Sequence, residues 1–155
     1  MMLAIYGTPV AQGSKRFLGV TKAGKGIIVD TKQARLDSWR SDVIGAVERY
    51  RDNHSADTLP YRQAVLARMV FSFLRPKSVT PRKRPYMTTA PDLEKLARGA
   101  CDALKAAGAI ADDCLIVEYT RLAKVYCKED PDALDVPGLW VVLHEIAPPE
   151  QLKGK

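Results

Sequence analysis

Histidine is scarce in this chain, and closely paired cysteine is absent. Its 155 residues include two histidines, His54 and His144, and three cysteines, Cys101, Cys114 and Cys127. The cysteines stand thirteen residues apart and form no CxxC pair. Structural zinc needs closer thiolates or histidine support, so no such site is expected. Unpaired thiols of this kind fit buried or idle side chains in a reducing cytoplasm. Long apolar runs are also missing. Residues 64–74 make an apolar stretch of strand length that Arg68 interrupts, so no membrane span is expected. The opening MMLAIYGTPV has neither the charged leader nor the long apolar segment of a secretion signal, and a cytoplasmic location is the expectation. No internal repeat is visible.

What is present is positive charge. The formal net charge is +6 and the isoelectric point is near 9.3, which favours an acidic partner such as nucleic acid or a membrane surface. Apolar residues make up 46% and charged residues 27%, ordinary values for a globular fold of one domain. LAIYG reads as a first strand. Residues 15–20 and 26–29 read as a hairpin around a Gly/Lys turn. Asp30 and Gln33 are spaced as a capping box opening a helix, whose stripe is Leu36, Trp39, Val43, Val47 and Tyr50. Val65, Ala67, Met69, Phe71 and Phe73 alternate as one face of a strand. A second helix is expected over residues 93–107, stopped by Gly108, with Leu93, Leu96, Ala100, Leu104 and Ala107 inward. Two strands follow, CLIVEYTRLAKVY and GLWVVLHEI, joined by the acidic KEDPDALDVP. The expected fold class is α+β: a single domain over 1–146 with a mixed, largely antiparallel sheet and two main helices, then a loose tail over 147–155.

Two motifs fail on inspection. GVTKAGK has the spacing of a phosphate-binding loop, but Gly26 stands where the magnesium-binding hydroxyl belongs and β-branched residues follow; a hairpin turn explains it better. The Pro91–Asp92 pair lacks the later acidic-x-Lys of the PD-(D/E)xK nucleases. Two other features hold together. RPKSVTPRKRP carries Arg75, Lys77, Arg82, Lys83 and Arg84 in ten residues; alone it reads as a solvated loop. It leads, however, into Asp92 and Glu94, at the start of the second helix, and Asp112 and Asp113 lie just past that helix. Each acid has an ordinary explanation as a cap, a dipole partner or a turn residue. Taken together beside a basic loop, they fit an oxygen-ligated magnesium or manganese ion held against phosphate. Asp92 and Glu94 would diverge by ~200° on a regular helix, so they converge only if Asp92 sits in extended chain before it.

The stretch PDLEKLARGACDALKAAGAIADDCLIVEY resembles the RusA-like Holliday-junction endonucleases, common in phages and prophages. The matching positions are Asp92, Leu93, Glu94, Lys95, Leu96 and Arg98, then Asp102, Ala103 and Leu104, then Asp112 and Asp113. The resemblance implies a homodimer that cuts four-way DNA junctions with magnesium. It assigns metal binding to Asp92, Glu94 and Asp113, and a catalytic role to Arg98. DNA contacts are expected from Arg75, Lys77, Arg82, Lys83, Arg84, Lys95 and Lys124. Three positions depart from the family pattern: Glu94 replaces Asp, Lys95 replaces Asn, and Arg98 replaces Lys. A guanidinium does not give up its proton, so Arg98 would stabilise charge. The rival readings are a non-catalytic binder of branched or double-stranded DNA, and a flap or branched-DNA nuclease of the same fold.

Chain geometry adds a constraint. Fifteen helical residues from Leu93 carry the chain about 22 Å from Asp92. The six residues 108–113 reach at most roughly 20 Å on the way back. A composite site is therefore expected, with Asp92 and Glu94 from one protomer and Asp113 from another. Gly99, Ala103, Ala106 and Ala107 are expected to allow close approach at the axis.

Overall fold

The structure is a computed structural model that describes residues 1–13, 15–21, 23, 24, 26–30, 33–54 and 58–148, without the side chains of 15–18 and 26–30. The tail expected over 147–155 lies outside the described residues from 149 onward. The elements in order are β1 (Met2–Tyr6), β2 (Lys15–Val20), β3 (Gly26–Asp30), α1 (Gln33–Asn53), β4 (Val65–Phe73), α2 (Leu93–Ala106), a 3-10 turn over Asp113–Leu115, β5 (Ile116–Tyr126) and β6 (Gly138–Glu145). Four strands form a mixed sheet in the order β1-β6-β4-β5, and β2 with β3 forms a separate hairpin. β6 runs antiparallel to β1 and β4, while β5 runs parallel to β4. The single-domain α+β fold with a mixed sheet is as expected.

Burial follows the sequence periods. On α1, Leu36, Trp39, Val43, Ala46 and Val47 are buried, and on α2 the buried set runs through Leu96, Ala97, Ala100, Ala103 and Leu104. Spacing of three and four puts each set on one stripe, and both stripes join the core over the sheet. On β4 the alternating set is buried, and so are Val70 and Ser72. β4 lies between β6 and β5, so alternation gives way to burial on both faces. The Ser72 hydroxyl accepts from the Leu134 N–H at 2.9 Å, satisfying a polar group in the core.

α2 closes as its sequence directs. Gly108 takes φ +70°, and the Ala109 and Gly108 N–H groups bond the Leu104 and Lys105 carbonyls, both at 2.9 Å. This is the Schellman arrangement, open to glycine because a Cβ is strained at positive φ. Of the local expectations, one lies partly outside the described residues and one needs correction. Asp30 ends β3 and α1 begins at Gln33, whose amide donates to Asp37 at 2.7 Å; the cap expected from the Asp30 side chain lies outside the described residues. Cys114 and Leu115, read as the start of a strand, fall in a 3-10 turn over Asp113–Leu115, which the Asp112 carboxylate caps by accepting from the Cys114 N–H at 3.1 Å. The acidic link between β5 and β6 is more than a connection. Arg121 donates to Asp130 at 2.6 Å, and Asp132 accepts from both Arg68 and Arg121.

Candidate active site

The basic loop returns from β4 to the start of α2 and delivers Asp92 in extended chain, at φ −68° and ψ 137°. Asp92 is the N-cap residue, but its side chain makes no capping hydrogen bond. Its carboxylate pairs with Lys95 at 2.9 Å and is otherwise open to solvent. The Lys95 hydrogen bond and charge, with a smaller pull from Lys124, hold the Asp92 carboxyl below the usual carboxylate range. Glu94 is exposed in the first turn, and Arg98 is exposed one turn further on. Neither makes an ion pair among the described residues. Lys124 comes in from β5 and donates to the Thr89 carbonyl at 2.6 Å and to the Pro91 carbonyl at 2.8 Å. Asp92, Glu94, Lys95, Arg98 and Lys124 are thus gathered at one end of α2. A cleft of about 250 Å³ bounded by Thr8, Arg35, Phe73, Ala90 and Pro91 opens just before Asp92 in the chain.

Asp113 lies elsewhere. Lys105, in the last turn of α2, pairs with Asp112 at 2.6 Å and with Asp113 at 3.7 Å. Asp92 and Lys105 are separated by about 20 Å of helix rise. Two carboxylates on one ion stand no more than about 5 Å apart, oxygen to oxygen. Among the described residues, no group of three or more Asp, Glu, His or Cys side chains is placed to hold a metal. The donors at the start of α2 suit a hard divalent cation in kind, but one chain does not bring the third carboxylate to them. Lys105 is a partner that sequence reasoning missed, since nothing local links it to residues seven and eight positions on. It holds the Asp112 carboxyl well below the usual range, helped by the Cys114 N–H.

The small residues of α2 are not free for an axis. Gly99, Ala103 and Ala107 are buried within the protomer. A Cβ on Gly99 would lie 3.3 Å from the Val10 carbonyl oxygen, where the chain before β2 crosses the helix. There the Gln12 N–H donates to the Lys95 carbonyl at 3.0 Å. These residues serve helix packing, and Ala106 alone of the four is exposed.

In the basic loop, Arg75 stands apart. Its guanidinium grips Glu129 through two nitrogens, one at 2.6 Å, and donates to the Arg84 carbonyl at 2.7 Å. It also lies 3.7 Å over the Tyr126 ring. Arg75 is therefore a strut that shapes the loop, and most of its donors are engaged. Lys77, Arg82 and Lys83 are exposed, Arg84 is partly so, and none makes an ion pair among the described residues. The GVTKAGK segment spans the β2–β3 turn, where the Gly24 N–H donates to the Thr21 carbonyl at 2.8 Å. β2 and β3 pair antiparallel on either side of it, as a hairpin.

Among curated proteins no relative matches this chain. A family profile does: that of Endodeoxyribonuclease RusA matches residues 7–134, a span holding the basic loop, all of α2 and Asp113. With a match over most of its length, this chain belongs to the RusA family and is an endodeoxyribonuclease.

Proposed function

We propose that the protein hydrolyses phosphodiester bonds at four-way DNA junctions, with magnesium held by Asp92 and Glu94 and manganese able to replace it. One observation carries the reading: an exposed cationic loop feeds directly into two exposed carboxylates, Asp92 and Glu94, and Asp92, paired only with Lys95, makes no capping hydrogen bond. Such an ion would polarise the scissile phosphate and lower the pKa of an attacking water. The chain's own residues do the rest. Lys77, Arg82, Lys83 and Arg84 hold the DNA through its backbone phosphates, which sets position without reading sequence. Arg98 meets the charge that develops on the phosphoryl oxygens. With a cation on Asp92, Lys95 would be free to meet phosphate. Lys124 holds the Thr89 and Pro91 carbonyls, and so fixes the direction in which Asp92 faces.

The test is a labelled four-way junction incubated with magnesium, with manganese, and with EDTA. Cutting is expected with either metal and not with the chelator. Asp92→Asn should abolish cutting while junction binding persists or tightens, because a negative charge beside the phosphate is gone. Wild-type cutting by Asp92→Asn protein would remove Asp92 from the site.

A further inference from the structure

Two clefts meet directly before the carboxylates. The cleft bounded by Arg35 shares Thr8, Phe73, Ala90 and Pro91 with a second one, of about 320 Å³. No charged side chain lines the second cleft, and Leu74, Pro76, Met87 and Tyr126 give it apolar walls. Its surroundings are the opposite. The Arg75 guanidinium lies 3.7 Å over the Tyr126 ring and donates to the Arg84 carbonyl, within the basic loop. Arg35 is exposed in the first turn of α1 and makes no ion pair among the described residues. Leu74 is 68% exposed, and Tyr86, next to Met87, is 78% exposed. Neither side chain serves the core, yet both border a stretch of chain that is otherwise cationic. An apolar slot ringed by cations fits a ligand with a flat apolar part and an anionic part. An unstacked nucleotide is such a ligand: its base stacks on apolar or aromatic surface while its phosphates stay on Lys and Arg. Pro91 lines both clefts and Asp92 follows it, so a nucleotide held there lies next to the proposed cation.

We propose that the apolar cleft receives one base from the branch point of the junction, unstacked from its neighbours, while Arg35 holds a phosphate of the same strand. The inference rests on the cleavage reading above and names how that site tells a junction from plain duplex. Taking a base out of an intact duplex costs stacking and pairing, and the cost is least where a base is already partly unstacked. A four-way junction offers such bases where its arms meet. Filling the cleft is therefore favourable at the crossover and unfavourable along an arm, which brings the branch point, and not an arm, to Asp92. A duplex still binds through the basic loop, with the cleft empty.

Aminopurine, a fluorescent base analogue that brightens on leaving the stack, reads the cleft without cutting. In EDTA, a junction carrying it beside the branch point should brighten with wild-type protein at one such position, while an arm position stays dark. Thr89 and Leu74 are exposed walls of the cleft. Thr89→Phe, which fills it, and Leu74→Ser, which makes it polar, should each lose the brightening. The preference for junction over duplex should fall roughly tenfold in both, with unchanged duplex affinity and circular dichroism spectra. Arg35→Ala should lower the salt slope of junction binding by roughly 0.9. Brightening at no branch position, or brightening that survives in both cleft variants, overturns the proposal. Brightening lost in Tyr86→Ala but kept in Thr89→Phe would put the base on the exposed Tyr86 ring and equally reject the cleft. An unchanged slope in R35A rejects the phosphate contact. A protein that brightens the analogue but never cuts with magnesium or manganese would instead sink the cleavage reading and leave the cleft standing.

Discussion

At the scale of single residues, the basic side chains divide by what already occupies them. Arg75 is engaged by Glu129, the Arg84 carbonyl and the Tyr126 ring, whereas Arg82 and Lys83 face solvent without a counter-ion among the described residues. The two groups should behave differently. Arg82→Ala/Lys83→Ala is expected to weaken binding to all DNA sequences alike and to lower the salt slope by roughly 0.9 per lost phosphate contact. Arg75→Ala should instead lower the melting temperature and weaken binding through a misshapen loop. Binding titrations across salt concentrations separate them. An unchanged slope in the double variant would return that part of the loop to a merely solvated role. For Arg98, Lys should retain part of the cleavage rate and Ala very little, since charge and not proton transfer is what the position supplies.

At the scale of elements, α2 does two tasks with opposite faces. Its inner stripe is packed so closely that Gly99 admits the Val10 carbonyl, and its outer, N-terminal end carries the carboxylates. Leu104 is fully buried, and Leu104→Ala should cost about 2–5 kcal/mol in a denaturant titration. Gly99→Ala should also destabilise, although alanine is the better helix former, because the Val10 segment would have to give way. A more stable Gly99→Ala protein would show that this crossing is looser than drawn. Much of α2 was legible beforehand: its period, its glycine stop and its extended Asp92 are all local features. Lys105 was not, because its partnership depends on where the chain goes after Gly108.

At the scale of the whole molecule, stability against acid is expected to depend on three carboxylates that pin the link between β5 and β6. Asp130 is held below its usual range by the Arg121 hydrogen bond, Asp132 by Arg68 and then Arg121, and Glu129 by Arg75. A carboxyl lowered by folding stabilises the native state above its unfolded pKa, and that support is lost as pH falls through the folded value. The melting temperature should therefore hold steady near neutrality and decline below about pH 4. Asp130→Asn/Asp132→Asn protein should start from a lower melting temperature and show a shallower decline. Parallel curves for the two proteins would mean that these pairs do not set the acid limit.

What the sequence by itself determined was whatever depends on near neighbours. The inward stripes of α1, β4 and α2 follow from side-chain period, the end of α2 from one glycine, and the carboxylates at its start from the RusA-like run of residues 91–119. The tertiary structure decided what depends on distant pairing: that β5 lies parallel to β4, that Arg75 is a strut, and that Gly99, Ala103 and Ala107 of α2 and its C-cap are used within the protomer. It also set Asp113 beside Lys105 at the far end of the helix from Asp92. Period and turn chemistry are written within a few residues of each position, whereas strand order and ion-pair partners are chosen by chain segments that meet only after folding.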